Sequence, residues 1–373
     1  MKRILGILSL TLLMIIPDAQ IFAQGEAAVP FLMIAPGARN GGMGEGGVAL
    51  PNDVNAIYWN PAGLALQYED PEFDFKNQIS LMHVKWLPQF NFSDLWYDYL
   101  AARFYLEDIG MLGFSITYLN LGENQWTSAQ GELLGTFDSK EYAIGVSYAA
   151  KIKPNLALGT TLKYIRSDLS PIEVTVGNER GEGRAHSLAV DLGVLWTPAF
   201  EFFENRLNAG MNISNIGPKI TYIDQKQADP LPTNLKAGLA YTAYDDGFNK
   251  LNVIYDLNKL LVYRKKLTVQ DSSGTPDNFL KAIFWSSWTK YSFSEQLRRL
   301  THSIGVEYYY GSLIALRTGF FYEDPSYGAR KFFTFGGGLE VSMFKFDFSY
   351  LYTWSDEEHP LSDTMRYSLT ISF

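Results

Sequence analysis

An all-β fold, a transmembrane antiparallel β-barrel of about fourteen strands, is what this sequence predicts. Three observations carry that expectation: the chain opens with an export signal, segments alternating apolar and polar residues recur up to its last residue, and the connections between them sort by parity into long and short.

The export signal comes first. Lys2 and Arg3 give a positive start, Ile4 to Ile16 an apolar stretch of thirteen residues, and Ile21-Phe22-Ala23 a small-residue cleavage site before Gln24, so residues 1–23 read as a signal peptide. That stretch is shorter than the roughly 20 apolar residues a spanning helix needs. Later apolar runs are broken repeatedly by Gly, Asp, Glu, Lys and Asn, which argues against a helical inner-membrane protein. Cysteine is absent, which excludes disulfides, thiolate metal sites and a lipid anchor on an N-terminal Cys. Any hold on the membrane therefore has to come from the fold.

Composition agrees with this. Aromatics make up 15% of the 373 residues and Lys, Arg, Asp and Glu together only 19%, which suits an outer surface facing lipid with aromatic girdles. The net charge of −9 argues against a nucleic-acid partner, which would need a basic face.

Period-two segments place strands near 76–84, 99–107, 111–119, 139–149, 156–165, 185–195, 206–213, 233–244, 247–256, 301–310, 312–322, 330–340, 343–353 and 364–373. In the last of these Met365, Tyr367, Leu369, Ile371 and Phe373 form an apolar edge, and Thr364, Arg366, Ser368, Thr370 and Ser372 a polar one. Tyr142, Ile144, Val146 and Tyr148 alternate in the same way with Ala143, Gly145 and Ser147. A soluble barrel would turn the apolar edge inward, whereas a membrane barrel turns it to lipid and tolerates charge within. Connections near 85–98, 120–138, 166–184, 214–232, 257–300, 323–329 and 354–363 are mostly long, while those between them are mostly tight turns. Long loops on one side, with both termini on the other, periplasmic side, are the outer-membrane pattern. In hydrocarbon an open sheet edge would leave backbone groups unpaired at several kcal/mol each, so the strands, residues 73–373, must close. A barrel of that size has to be plugged or to conduct.

Residues 24–72 are the candidate plug. Five glycines fall within 41–47, permitting positive φ and close backbone approach, and Phe31-Leu32-Met33-Ile34 and Tyr58-Trp59 would gain nothing in a free tail. Gly42-Met43-Gly44-Glu45-Gly46-Gly47 loosely matches a phosphate loop, but without a βαβ context or a Walker lysine.

The run Val29 to Arg39, with Pro36 and Arg39, then Gly42-Met43-Gly44-Glu45-Gly46-Gly47-Val48-Ala49, and Tyr58-Trp59-Asn60-Pro61-Ala62, resembles the amino-terminal signature of PorV proteins. PorV is an outer-membrane barrel component of the type IX secretion system within the FadL-like superfamily. Gly37 departs from the acidic residue expected at that position. The resemblance implies a non-enzymatic protein with Pro36, Arg39, Gly42, Met43, Gly44, Asn60 and Pro61 as signature plug residues. Its implied partners are the large translocon barrel, cargo proteins bearing C-terminal signal domains, and a surface attachment complex containing a sortase-like protease, all in contact with outer-membrane lipid. The alternative it leaves open is a FadL-like transporter of hydrophobic small molecules.

No catalytic constellation, metal site or cofactor site is expected. His83, His186, His302 and His359 are scattered, and no Gly-x-Ser-x-Gly elbow or His-Glu-x-x-His helix occurs. Glu307, Glu340 and Asp347 fall on the expected inward face, where Arg317 and Lys345 can pair with them. The candidate partner contacts are aromatics of the long loops: Trp86, Phe90, Trp96 and Tyr97 in 85–98, and Phe284, Trp285, Trp288 and Tyr291 in 257–300, near Lys259, Arg264, Lys265 and Lys266. Such rings serve either as partner anchors or as interfacial ballast.

Overall fold

In a computed structural model of the chain, described for residues 27–67, 76–128, 130–176, 179–200, 203, 206–224, 227–264, 276–354 and 359–373, fourteen antiparallel strands close into one barrel. They are β1 (Gln78–Lys85), β2 (Trp96–Leu106), β3 (Gly110–Thr127), β4 (Leu133–Lys153), β5 (Leu156–Val176), β6 (Glu179–Trp196), β7 (Leu207–Ile216), β8 (Asn234–Asp245), β9 (Asn249–Leu260), β10 (Leu300–Tyr310), β11 (Ile314–Tyr322), β12 (Lys331–Val341), β13 (Phe344–Tyr352) and β14 (Met365–Ser372). The expected signal peptide, and residues 24–26 and 68–72 of the expected plug, lie outside the described residues.

Closure joins the first strand to the last, with Gln78 opposite Ser372 and Leu81 opposite Leu369. Below that pair Asn77 and Phe373 exchange backbone hydrogen bonds of 3.0 and 2.9 Å, so the wall starts and ends at the short-turn end. The alternation behaves as a lipid-facing surface requires. Met365, Tyr367 and Leu369 of β14 are exposed on the outside, while Arg366, Ser368, Thr370 and Ser372 are buried within.

Two expected loops are corrected. Residues 120–138 and 166–184 mostly continue the hairpins β3–β4 and β5–β6, whose strands run 18 to 21 residues. A tilted strand spans the membrane in about 9–11 residues, so these hairpins project well beyond it at the long-loop end. Outside lipid neither face needs to be apolar. The β5–β6 extension is held instead by charge, across the strands between Arg180 and Glu173 at 2.7 Å and Arg184 and Asp168 at 3.9 Å, and along β5 between Arg166 and Asp168 at 2.7 Å. The polar composition of both extensions reads as loop from sequence for that reason.

The lumen is filled by residues 27–67, folded as short helical turns at Pro30–Met33, Ala38–Gly41, Ala56–Trp59, Pro61–Gly63 and Leu64–Gln67. Phe31, Met43, Val54, Ile57, Trp59 and Leu64 are all essentially solvent-free. The backbone of this segment lies directly on the wall because the wall carries glycines where it touches. A Cβ on Gly319 of β11 would fall 2.1 Å from the Gly44 nitrogen, one on Gly210 of β7 2.1 Å from the Val48 oxygen, and one on Gly159 of β5 2.3 Å from the Ala62 nitrogen. Conversely, Gly44 has φ +69 and no room for a side chain against Ile304 and Phe320, so its absence of Cβ is required twice over.

Candidate functional site

The segment inside the barrel is locked by charge. Arg39 donates from Nε and Nη2 to the two carboxylate oxygens of Glu307 on β10, at 2.8 and 2.7 Å, and from Nη1 to Asn52 and Asp53. Arg317 on β11 bridges the same Glu307 at 2.8 Å to Asp347 on β13 at 2.7 Å. Glu307 and Arg317 are solvent-free, so removing one partner would strand a buried charge, at a cost of about 3–5 kcal/mol. Glu45 pairs with Arg366 of β14, and Asp256 of β9 accepts from the backbone N–H groups of Gly47 and Val48 at 2.6 and 2.9 Å. The expected pairing of luminal carboxylates with Arg317 and Lys345 is thus present, Lys345 approaching Glu340 at 3.8 Å.

The signature plug residues all serve this seating. The Pro36 carbonyl accepts from the Trp59 indole N–H at 3.2 Å, and the Gly44 N–H donates to Thr334 Oγ1 at 2.8 Å. Met43 fills a small core with Ala49, Leu50, Ala240 and Ile254, and Gly42 lies against Gly336 of β12. Asn60 donates to the carbonyls of Val48 and of Val194 on β6, and Pro61 sits in the space left by Gly159 and Gly193. Gly37 has φ +87, a conformation that an acidic residue would adopt only under strain.

Above the plug, toward the long loops, lies an open cavity of about 670 Å³. Its floor is apolar, formed by Pro30, Met33, Ile34, Tyr58 and Trp59 of the plug with Trp86 and Leu87 of the β1–β2 loop. Its wall is mixed, with Asn234 and Lys236 on β8, Asn258 on β9, Thr301 on β10 and the Glu323–Arg330 ion pair at 2.7 Å. His359 also faces it, and burial followed by the nearby Arg330 charge lowers its pKa, favouring the neutral ring.

The aromatic candidates separate into three groups. Phe284, Trp285 and Trp288 stand exposed on the helical stretch 279–298, and Phe90 is exposed beside Phe92 on the β1–β2 loop. Trp86 and Tyr291 are half-buried, Trp86 against the plug and Tyr291 under the guanidinium of Arg299 at 3.6 Å. The third group corrects the expectation of a loop rim. Trp96 opens β2, and Tyr97 is wholly buried on the luminal face, its hydroxyl donating to the Ile34 carbonyl at 3.2 Å. Trp288 also has a structural duty: its ring covers Lys259, a buried lysine on the outward edge of β9, at 4.0 Å. The helical stretch therefore folds over the outside of the rim beside β9.

Sequence reasoning missed the wall glycines, Lys236 and Asp256. The glycines recur on inward positions of successive strands, a regularity visible only once strands are registered. Among the described residues no group of three or more metal-ligating side chains is gathered.

The sequence matches a family model described as type IX secretion system protein PorV over residues 20–266. No curated protein matches at a significant level. Among solved structures, the Ralstonia pickettii toluene transporter TbuX is similar at 12% identity, covering 91% of this chain and 98% of that one with a TM-score of 0.51. The Pseudomonas putida toluene transporter TodX is similar at 12% identity, with 90% and 96% covered and a TM-score of 0.52. A TodX monoaromatic hydrocarbon channel carrying the deltaS2 mutation reaches 0.55 at 13% identity, with 91% and 99% covered. At such identities the likeness is one of fold, a closed antiparallel β-barrel.

Proposed function

The chain belongs to the PorV family of type IX secretion system proteins, and from that premise we propose that it is a non-enzymatic docking component that receives cargo with C-terminal signal domains at its long-loop end. The observation that carries this reading is the seal. The plug meets the wall backbone to backbone at glycines and is pinned by the Arg39–Glu307–Arg317–Asp347 chain, so the interior is built to stay shut while the long-loop end presents a cavity and exposed rings. In this reading the long-loop end faces the cell exterior, the translocon barrel delivers cargo beside it, and the attachment complex takes the cargo onward, so that any joining and cleavage belong to partners. The test is co-purification: complexes solubilised in detergent contain the translocon or signal-domain cargo. Their consistent absence, with normal surface export in a deletion strain, overturns the proposal.

A second reading, transport of hydrophobic small molecules, is favoured by the apolar floor of the cavity. It requires a route past the plug. Uptake of a monoaromatic hydrocarbon into liposomes carrying the purified protein, above that of empty liposomes, supports that reading.

A further inference from the structure

Lys236 is a buried cation with no direct ion pair among the described residues. It lies on the inward face of β8, is 6% exposed and lines the cavity. The carboxylates that act on it through space bond elsewhere: Asp256 through Oδ2 to Gly47 and Val48, its Oδ1 being left without a hydrogen bond, Asp191 to Lys163 at 2.8 Å, and Glu45 to Arg366. The ammonium is held instead over the faces of Tyr58 at 4.0 Å and Trp59 at 4.5 Å. Ring faces orient and partly stabilise a cation but do not neutralise it. A desolvated cation is costly unless paired, and the open side of the cavity is where an anion has access to it.

We propose that the cavity captures the terminal carboxylate of an extended peptide segment, with Lys236 as its counter-ion. This deepens, and rests on, the reading of the protein as a cargo receptor. The wall decides between a peptide and an acyl chain. Asn258 stands directly opposite the lysine on β9, Thr301 opposite Asn258 on β10, and Asn234 two residues from the lysine on β8 toward the long loops, and they offer amide and hydroxyl groups that a peptide backbone can satisfy. An alkyl tail would strip water from the same groups and return nothing. The apolar floor of Met33, Ile34 and Leu87 then receives side chains of the segment, and a volume of about 670 Å³ suits several residues. Capture of a C-terminal carboxylate by fixed donors is an established mode of peptide recognition.

The test is a titration of the full-length protein, in neutral detergent, with a cargo C-terminal signal domain bearing either its free carboxylate or a C-terminal carboxamide made by semisynthesis. The carboxamide is expected to bind about tenfold or more weakly, as a charge-assisted contact implies. Lys236→Met is expected to weaken the free acid by a similar factor and to leave the carboxamide unchanged. Equal binding of acid and carboxamide overturns the inference while leaving the receptor reading intact; failure of both forms to bind overturns the receptor reading as well. Decanoate is expected not to compete, and Lys236-dependent competition by decanoate would overturn the peptide assignment in favour of a fatty carboxylate. Because the carboxamide arm uses unaltered protein, it decides the matter even if Lys236→Met does not assemble.

Discussion

Arg39 and Glu307, far apart in sequence and brought together only by the plug entering the barrel, meet in a two-pronged ion pair with oxygen distances of 2.8 and 2.7 Å. Both side chains are buried, so the pair reports directly on whether the plug is seated. Arg39→Ala should lower stability by about 3 kcal/mol, because it takes from the buried Glu307 carboxylate one of the two arginines that neutralise it. A double-mutant cycle of Arg39→Ala with Glu307→Gln in urea unfolding should give a coupling of about 1–3 kcal/mol. Additive effects would mean that the plug is held by other contacts.

Wall glycines give a steric test of the same seating. Gly319→Ala places a methyl on the plug backbone and should destabilise by about 1–3 kcal/mol while making residues 27–67 accessible to protease. Gly135→Ala is the control, since a Cβ there meets nothing within 4 Å. Equal protease resistance in both variants would contradict the close approach.

How far the sequence foretold this can be judged from particular residues. The period-two edge of β14 was legible because lipid demands apolar side chains on one face, and every outward residue there obeys. The outer halves of β3 to β6 were not, because beyond lipid that demand disappears, and between β5 and β6 charged cross-strand pairs replace it. The glycine run at 41–47 announced a close approach, but the surface it approaches is a glycine on each of β10, β11 and β12, invisible without register. Tyr97 reads as a loop aromatic and is in fact a luminal one, since the strand begins at Trp96, sooner than the alternation suggests. An inward lysine such as Lys236 reads as half of an ion pair; that it makes no direct pair among the described residues depends on what the nearby carboxylates bond instead.

The exposed rings should divide by function. Phe284→Ala with Trp285→Ala should weaken cargo or translocon capture by about 2 kcal/mol or more, roughly thirtyfold, with heat-modifiable barrel migration unchanged. Trp288→Ala should also disturb the local fold, because it uncovers Lys259 and loses the indole hydrogen bond to the Ile283 carbonyl. Tyr97→Ala should reduce assembly rather than capture. Unchanged capture by the Phe284 and Trp285 variant at normal surface level would make those rings membrane ballast.

The turn between β8 and β9 supplies a pH test outside the membrane. Asp246 accepts from the N–H groups of Phe248 and Asn249 at 2.9 and 2.5 Å, which holds its carboxyl well below the usual range. The turn is therefore fully supported above the unfolded carboxyl pKa and loosens as pH falls through the depressed value. Hydrogen exchange at the Asn249 amide should quicken in acid, and Asp246→Ala should abolish that dependence.

The central claim, a sealed barrel that receives cargo at its long-loop end, is tested most directly by site-specific photocrosslinking in cells from position 285 and, on the opposite side of the plug, from position 342. The account predicts crosslinks to signal-domain cargo or translocon from the first position and none to cargo from the second. Cargo crosslinks confined to position 342, or none at either with secretion intact, would contradict it.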